Sequence, residues 1–235
     1  MEEVWQTSAR LTQELRTLES QADRRLVSEV RAAVLALEAL STPLTFHEGA
    51  AARQGERGEI KSISQRLDAV RRGLSACTPA VRDDLSVLLD RIHNLLGLMR
   101  TDVPKWDCLV GLLKAARAEG RRTAVAVPNR LAQEALFAAL EVEFPDIRTD
   151  LPWELCTVAA VPRLGEVDEL IVVGLPSLRQ NWVLRYPVCA DRKVMVWPFH
   201  KELGIWLAAP PLLKGAEAQR VAAWSELCLT NLDKY

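Results

Sequence analysis

Thr123-Ala124-Val125-Ala126-Val127 and Glu169-Leu170-Ile171-Val172-Val173 are the two runs that decide the fold of this chain. Each is short and mostly apolar, and turn chemistry follows at once: Pro128-Asn129 after the first, Gly174-Leu175-Pro176-Ser177 after the second. A strand with one solvated face alternates apolar and polar residues. A strand apolar throughout is covered on both faces, which points to parallel strands joined by helical crossovers. The stretch Lys105–Phe199 that contains both runs therefore reads as an α/β lobe.

Working outward, Leu155–Val161 and Lys193–Trp197 are further strand candidates, the second closed by Pro198, and the run at 169–173 extends back to Val167. Trp106, Leu109, Val110, Leu113 and Ala116 recur at helical spacing before the first strand, with Gly120 placed to end that helix as its C′ residue. Asn129 is positioned to cap a helix running Leu131–Leu140, and Phe144-Pro145-Asp146 breaks the chain after it. Helical spacing returns over Glu217–Leu232, whereas Leu203–Leu213 is apolar and Pro-containing without a clear period.

Residues 1–102 read as helical, a bundle or an insertion. Val4, Leu11, Leu15 and Leu18, then Leu26, Val30, Val34 and Leu37, recur at three-, four- and seven-residue steps between charged residues. Ser41-Thr42-Pro43 stops this pattern, and residues 47–59, with Gly49, Gly55 and Gly58 among charges, read as a polar loop. Ile60, Ile63, Leu67, Val70 and Leu74 line a third helix. Val81, Leu85, Leu88, Leu89, Ile92, Leu95 and Leu96 line a fourth, with Thr78 as N-cap, Pro79 at its start, and Asp83 and Asp84 in its first turns. Asp102-Val103-Pro104 marks the boundary between the helical region and the lobe.

The loop and the helix after it carry Arg53, Arg57, Lys61, Arg66, Arg71 and Arg72, more bases than acids. One reading is a solvated connector. The other is a nucleic-acid surface, because phosphate contacts need only such charges within reach. The whole chain has a net charge of −1, so any such surface is a local patch. At 235 residues and 49% hydrophobic content the chain can bury a sizeable core. The five cysteines (Cys77, Cys108, Cys156, Cys189 and Cys228) are scattered, with no C-x-x-C pair and no histidine at ligand spacing. They read as reduced core residues of a cytoplasmic protein, with no metal site. No signal peptide and no membrane-length apolar run is present, so no membrane partner is expected.

The order helix, strand, Pro-Asn, helix, strand, turn, strand, Gly-x-Pro-Ser, strand resembles the second RecA-like lobe of superfamily 1 and 2 helicases, over residues 105–200. The segment from Lys105 through Trp106, Gly120 and Thr123 to Asn129 looks like the opening of that lobe in the Snf2-like branch, and Val167–Ser177 looks like its later aspartate, apolar strand and small-residue turn. The resemblance implies an α/β fold with an N-terminal helical region (1–102), then a RecA-like parallel-sheet lobe with a C-terminal helix (103–235). It also implies that any arginine finger would come from Arg185 or Arg192, near Arg179 and Gln180, although the family's Gly-Arg-x-Gly-Arg spacing is missing.

No G-x-x-x-x-G-K-[ST] loop occurs, so no backbone cradle for phosphates is encoded and no nucleotide cofactor is expected. Ser177 lacks the G-x-S-x-G elbow of a serine hydrolase. Asp168, Glu169 and His200-Lys201-Glu202 match no metal-nuclease spacing, and a buried Asp168 capping a turn is the plainer account. Trp182, Trp197 and Trp206 offer stacking faces for bases, but core and interface packing is the commoner use of tryptophan. The reading is a non-catalytic, helicase-like accessory module that binds a partner protein, nucleic acid or both, similar in style to subunits of prokaryotic anti-phage defence systems. Two alternatives stand beside it: a piece of an ATP-dependent helicase or translocase whose first lobe lies elsewhere, and a purely structural interaction protein.

Overall fold

The computed structural model describes residues 21–55, 61–100, 103–147, 153–173 and 189–196. The helices expected before residue 20 and over 217–232, the segment 203–213, and residues Arg57, Ile60, Arg179, Gln180, Trp182, Arg185, Trp197, His200 and Trp206 lie outside the described residues. The chain divides between Val103 and Pro104 into two compact units.

The first unit contains α1 (Gln21–Glu38), α2 (Leu44–Gly55), α3 (Ile63–Gly73) and α4 (Pro79–Leu98). The apolar stripe of α1 (Leu26, Val27, Val30, Ala33, Val34 and Leu37) is buried, as are Ile63, Leu67 and Val70 of α3 and Val81, Leu85, Leu88, Leu89, Ile92 and Leu96 of α4. Burying each such aliphatic side chain stabilises the fold by about 1.5–3 kcal/mol. Helix α1 packs along α3, and at Gly73 an added Cβ would stand 2.8 Å from Leu26 Cδ2.

Where a polar loop was expected over 47–59, the chain forms α2 through Gly55. Its composition is polar and glycine-containing, but Leu44, Ala50 and Ala51 are buried. The backbone N–H of Leu44 donates to Met99 O at 3.2 Å, which ties the start of α2 to the end of α4. Tertiary burial has overridden weak local preference. Two expectations about α4 also change. Thr78 is its N-cap residue but makes no side-chain cap to its own helix, and no acidic residue lies in its first turn.

The second unit contains α5 (Pro104–Ala118), β1 (Thr123–Val127), α6 (Arg130–Glu143), β2 (Trp153–Thr157), β3 (Val167–Val173) and β4 (Cys189–Val196). Helix α5 buries Trp106, Leu109, Val110, Leu113 and Ala116. It ends in a Schellman motif: Gly120, at φ 67°, donates to Arg117 O, and Arg121 N donates to Ala116 O at 2.9 Å. The four strands are all parallel, in the order β2-β1-β3-β4. Every residue of β1 is buried, and so is every residue of β3 from Glu169 onward, as the unbroken apolar runs require.

The strand expected over 155–161 is β2 only as far as Thr157. Residues Val158–Arg163 form a 3-10 segment that buries Val158 and Val161. This segment, rather than an α-helix, begins the crossover from β2 to β3. The fourth strand starts at Cys189, ahead of the expected Lys193, and carries one extra residue opposite Val167–Glu169. Among the described residues no helix is long and apolar enough to cross a membrane.

Candidate functional site

In an open parallel sheet, ligands bind outside the carboxyl ends of the strands, where the strand order reverses. Here the chain leaves β1 for β2 on one side and later returns to β3 on the other, so the reversal lies between Val127 and Val173. At the end of β1, Pro128 supplies no N–H. Asn129 takes an extended backbone, and its Oδ1 accepts the N–H of Ala132 at 2.9 Å. The amino terminus of α6 is thus capped by its own asparagine. Gln133, one turn into α6, donates from Nε2 to Leu155 O on the edge strand β2 at 2.8 Å.

The amino edge of the same sheet carries charge. Arg122 N and Arg122 Nη2 donate to the two carboxylate oxygens of Asp168 at 2.8 and 3.1 Å, while Arg122 O accepts from Asp168 N. These hydrogen bonds hold the Asp168 carboxyl below the usual aspartate value of 3.8. Asp168 is partly exposed, so the buried acid is its neighbour Glu169, at 0% exposure. Arg121 lies 3.4 Å from Glu169 Oε1 and 3.2 Å from Glu119 Oε2. Arg192 falls opposite Glu169 in the β3–β4 register, which puts it near the amino edge rather than at the carboxyl ends. Lys105 is buried at the start of α5.

Two of the basic positions of the helical unit share one acid. Glu29 of α1 accepts from Lys61 Nζ at 2.8 Å and from Arg66 Nη1 at 2.7 Å. Partial burial pushes the Glu29 carboxyl up, but the hydrogen bonds from Lys61 and Arg66 outweigh it and leave it below the usual glutamate value. Arg71 stands 3.7 Å from Asp68 and 3.4 Å from His93 Nδ1. Of the described positions Arg53, Lys61, Arg71 and Arg72 are exposed and Arg66 is half-buried, and Arg57 lies outside the described residues.

The amino termini of α3 and α4 are already occupied by acids. Ser62 and Gln65 form a reciprocal capping box at α3, and Glu48 Oε1 of α2 accepts from Ile63 N at 3.0 Å and Ser64 N at 3.4 Å. Asp23 of α1 serves α4 in the same way through Thr78. A phosphate seeking a helix N-terminus meets a carboxylate at both. Sequence reasoning missed Glu29, Glu48 and Asp23, since nothing local marks an acid as the partner of a residue tens of positions away. The Ser62-x-x-Gln65 spacing is a local capping signal that sequence reasoning also passed over.

Burial raises the Cys77 thiol, with help from Asp23, to about 11, and raises the Cys156 thiol to about 12. Both are far from the thiolate character a nucleophile needs. Burial also lowers His47, against the pull of Glu48. Among the described residues no group of three or more His, Cys, Asp or Glu is arranged to hold a metal ion.

No protein-family model matches the chain, and no curated protein or solved structure matches it either.

Proposed function

We propose that the chain is a non-catalytic accessory module built on a helicase-like, RecA-type lobe, and that it acts by binding a partner protein. The observation that carries this reading is the turn after β1. The sheet is parallel and its strand order reverses there, as in nucleotide-binding α/β folds, yet the turn is Pro128-Asn129 and the side chain of Asn129 takes up the amide of Ala132, the third residue of α6. A phosphate-binding turn leaves those amides open to the ligand. This end of the sheet is thus built to close a helix rather than to cradle a nucleotide. The scattered, unpaired cysteines suit such a module to the cytoplasm, and the sequence resemblance suits it to a prokaryotic defence complex where another chain supplies the ATPase. Arg185 is the residue that could reach across to it.

Nucleic-acid binding is the second reading. Exposed Arg53 and Arg72 favour it, and the ion pairs of Lys61 and Arg66 with Glu29 weigh against it. The two readings separate in a salt series of nucleic-acid binding, with and without ATP, on the native chain and Arg185→Ala. Weak binding that ATP does not change, together with capture of an ATPase partner that Arg185→Ala fails to stimulate, is the expected result. Steeply salt-dependent binding would move the assignment to nucleic acid. ATP-dependent behaviour of the chain alone would overturn the non-catalytic assignment.

A further inference from the structure

The seam between α1 and α3 carries more cations than carboxylates. Contacts along it run in opposite senses on the two helices: Glu29 meets Lys61 and Arg66, Leu26 lies against Gly73, and Asp23 bonds Thr78. Arg25 stands one turn before Glu29 on the same side of α1, which sets it level with the last turn of α3, where Arg72 adjoins Gly73. Lys61 and Arg66 share Glu29. Arg25 and Arg72 are exposed, and neither has an ion-pair partner among the described residues. The other described acids nearby are engaged: Asp23 and Glu48 hold the amino ends of α4 and α3, and Asp68, one turn before Arg72, lies 3.7 Å from Arg71. Between the cations the surface is apolar. Ala32 and Ala36 of α1 and Ala69 and Gly73 of α3 are half-buried, and Leu35 beside them is 52% exposed.

We propose that this seam binds an acidic amphipathic helix of a partner protein, with carboxylates on Arg25 and Arg72 and an apolar side over Ala32, Ala36 and Leu35. Glu29 is the chain's own sample of the chemistry the seam accepts, a carboxylate held at 2.7 and 2.8 Å by two cations. Arg25 and Arg72 bring a second pair of cations to one level of the seam without a carboxylate, and like charges so placed repel until an anion comes between them. Guanidinium groups suit that anion because each offers two parallel N–H donors to a carboxylate. A phosphate would satisfy the same two arginines, but a nucleic-acid backbone has nothing to lay on Leu35 and the alanines. An amphipathic helix covers both the charges and the apolar floor, and small side chains beneath it allow a close approach. Exposed ion pairs are individually weak, so the expected Kd is roughly 10–100 µM at about 0.15 M salt. The inference rests on the protein-binding reading and deepens it, by locating the surface and the partner's chemistry.

Fluorescence anisotropy on the full chain tests it with a labelled helical peptide of about 21 residues, built from Ala, Glu and Leu with the leucines on one face and the glutamates beside them. The comparison probes are the same peptide with Gln for every Glu and a thymidine oligonucleotide of equal charge. The acidic peptide should bind saturably, its Gln form at least about tenfold more weakly, and the oligonucleotide more weakly than the acidic peptide. Arg25→Glu combined with Arg72→Ala should weaken the acidic peptide about tenfold and Leu35→Ser about threefold. Glu29→Gln, which frees Lys61 and Arg66, should tighten it about threefold. Arg163→Ala, which removes an exposed cation of the second unit, should change nothing. Arg25, Leu35 and Arg72 are exposed, so thermal midpoints that hold in their variants separate loss of binding from loss of fold. No saturable binding, equal binding of the Gln form, indifference to the arginine pair or to Leu35, or tighter binding of the oligonucleotide overturns the proposal. The peptide is tested without any ATPase, so the two failures are distinct. A chain that captures an ATPase partner but ignores the peptide loses this proposal alone, and one that binds the peptide but captures no ATPase loses the accessory-module reading alone.

Discussion

Asp23 and Thr78 are joined twice across 55 positions of sequence: Oδ1 accepts the Thr78 N–H at 3.1 Å and Oδ2 accepts the Thr78 hydroxyl at 2.9 Å. The carboxylate is 2% exposed, so these bonds operate in a water-poor setting. One acid on α1 thereby fixes where α4 begins. Asp23→Ala removes the charged acceptor of the Thr78 N–H and hydroxyl, and because Thr78 itself is exposed and water can replace that acceptor, the expected cost is about 1–2 kcal/mol. The thermal midpoint followed by helical circular dichroism checks this, and an unchanged midpoint would show that α4 starts without help from α1.

Glu29 makes the helical unit sensitive to acid. Its carboxyl titrates below the ordinary 4.5 when folded, so its pairing with Lys61 and Arg66 is fully present above that value and is lost as pH falls through the lower folded value. Glu29→Gln is expected to be less stable than native at neutral pH and to converge with it in strong acid. The same substitution releases two cations. Nonspecific duplex binding should strengthen, and its logarithmic salt slope should steepen by up to about two units. Matched denaturation curves across pH test the first part, and fluorescence anisotropy across salt tests the second.

Gly120 holds φ at 67° in the Schellman turn after α5, with open space where a Cβ would stand. The cost of a side chain there is therefore backbone strain rather than a clash. Gly120→Ala should destabilise by about 1–2 kcal/mol and Gly120→Asn by less. If alanine and asparagine cost the same, the strain argument fails.

Gly73 presents the opposite case, a helical position where alanine is locally better but has no room. Its Cβ would come within 2.9 Å of both terminal carbons of buried Leu26. The helix gains up to about 1 kcal/mol from alanine, and overpacking costs about 1–3. A net loss is expected in the native background and a gain in Leu26→Ala, so a double-mutant cycle measured by urea denaturation should show strong coupling.

Cys77 and Cys156, at about 11 and about 12, should resist alkylation at pH 8 in the folded chain. Both should react quickly in denaturant. Peptide mapping after a brief iodoacetamide pulse reads each site separately, and rapid native labelling of Cys156 would contradict its burial.

The strands β1 and β3 were legible because burial on both faces leaves an unbroken apolar run. The same property hid which acid lies inside: without alternation, nothing in Asp168-Glu169 says that the second is the buried one. Apolar continuity also carried the expected second strand past Thr157, where Val158–Arg163 bends into a 3-10 segment while keeping Val158 and Val161 inside. Helix α2 was hidden by its glycines and charges, because the alanines that hold it are small and give little periodic signal. The caps divide in the same way. Asn129 was readable because its partner is three residues away. Glu48 and Asp23 were not, because theirs are 15 and 55 away.

The position of β1 between β2 and β3 has a consequence during synthesis. The strand leaves the ribosome before either neighbour exists: its edge toward β2 stays open until Thr157 has emerged, and its edge toward β3 until Val173 has. At about 5–20 residues per second that interval lasts on the order of seconds. For that time Thr123-Ala124-Val125-Ala126-Val127 is a bare apolar strand, the kind of segment that chaperones shield and that aggregates when they do not. Expression yield of this chain should therefore depend more on chaperone supply and translation speed than the stability of the finished sheet would suggest.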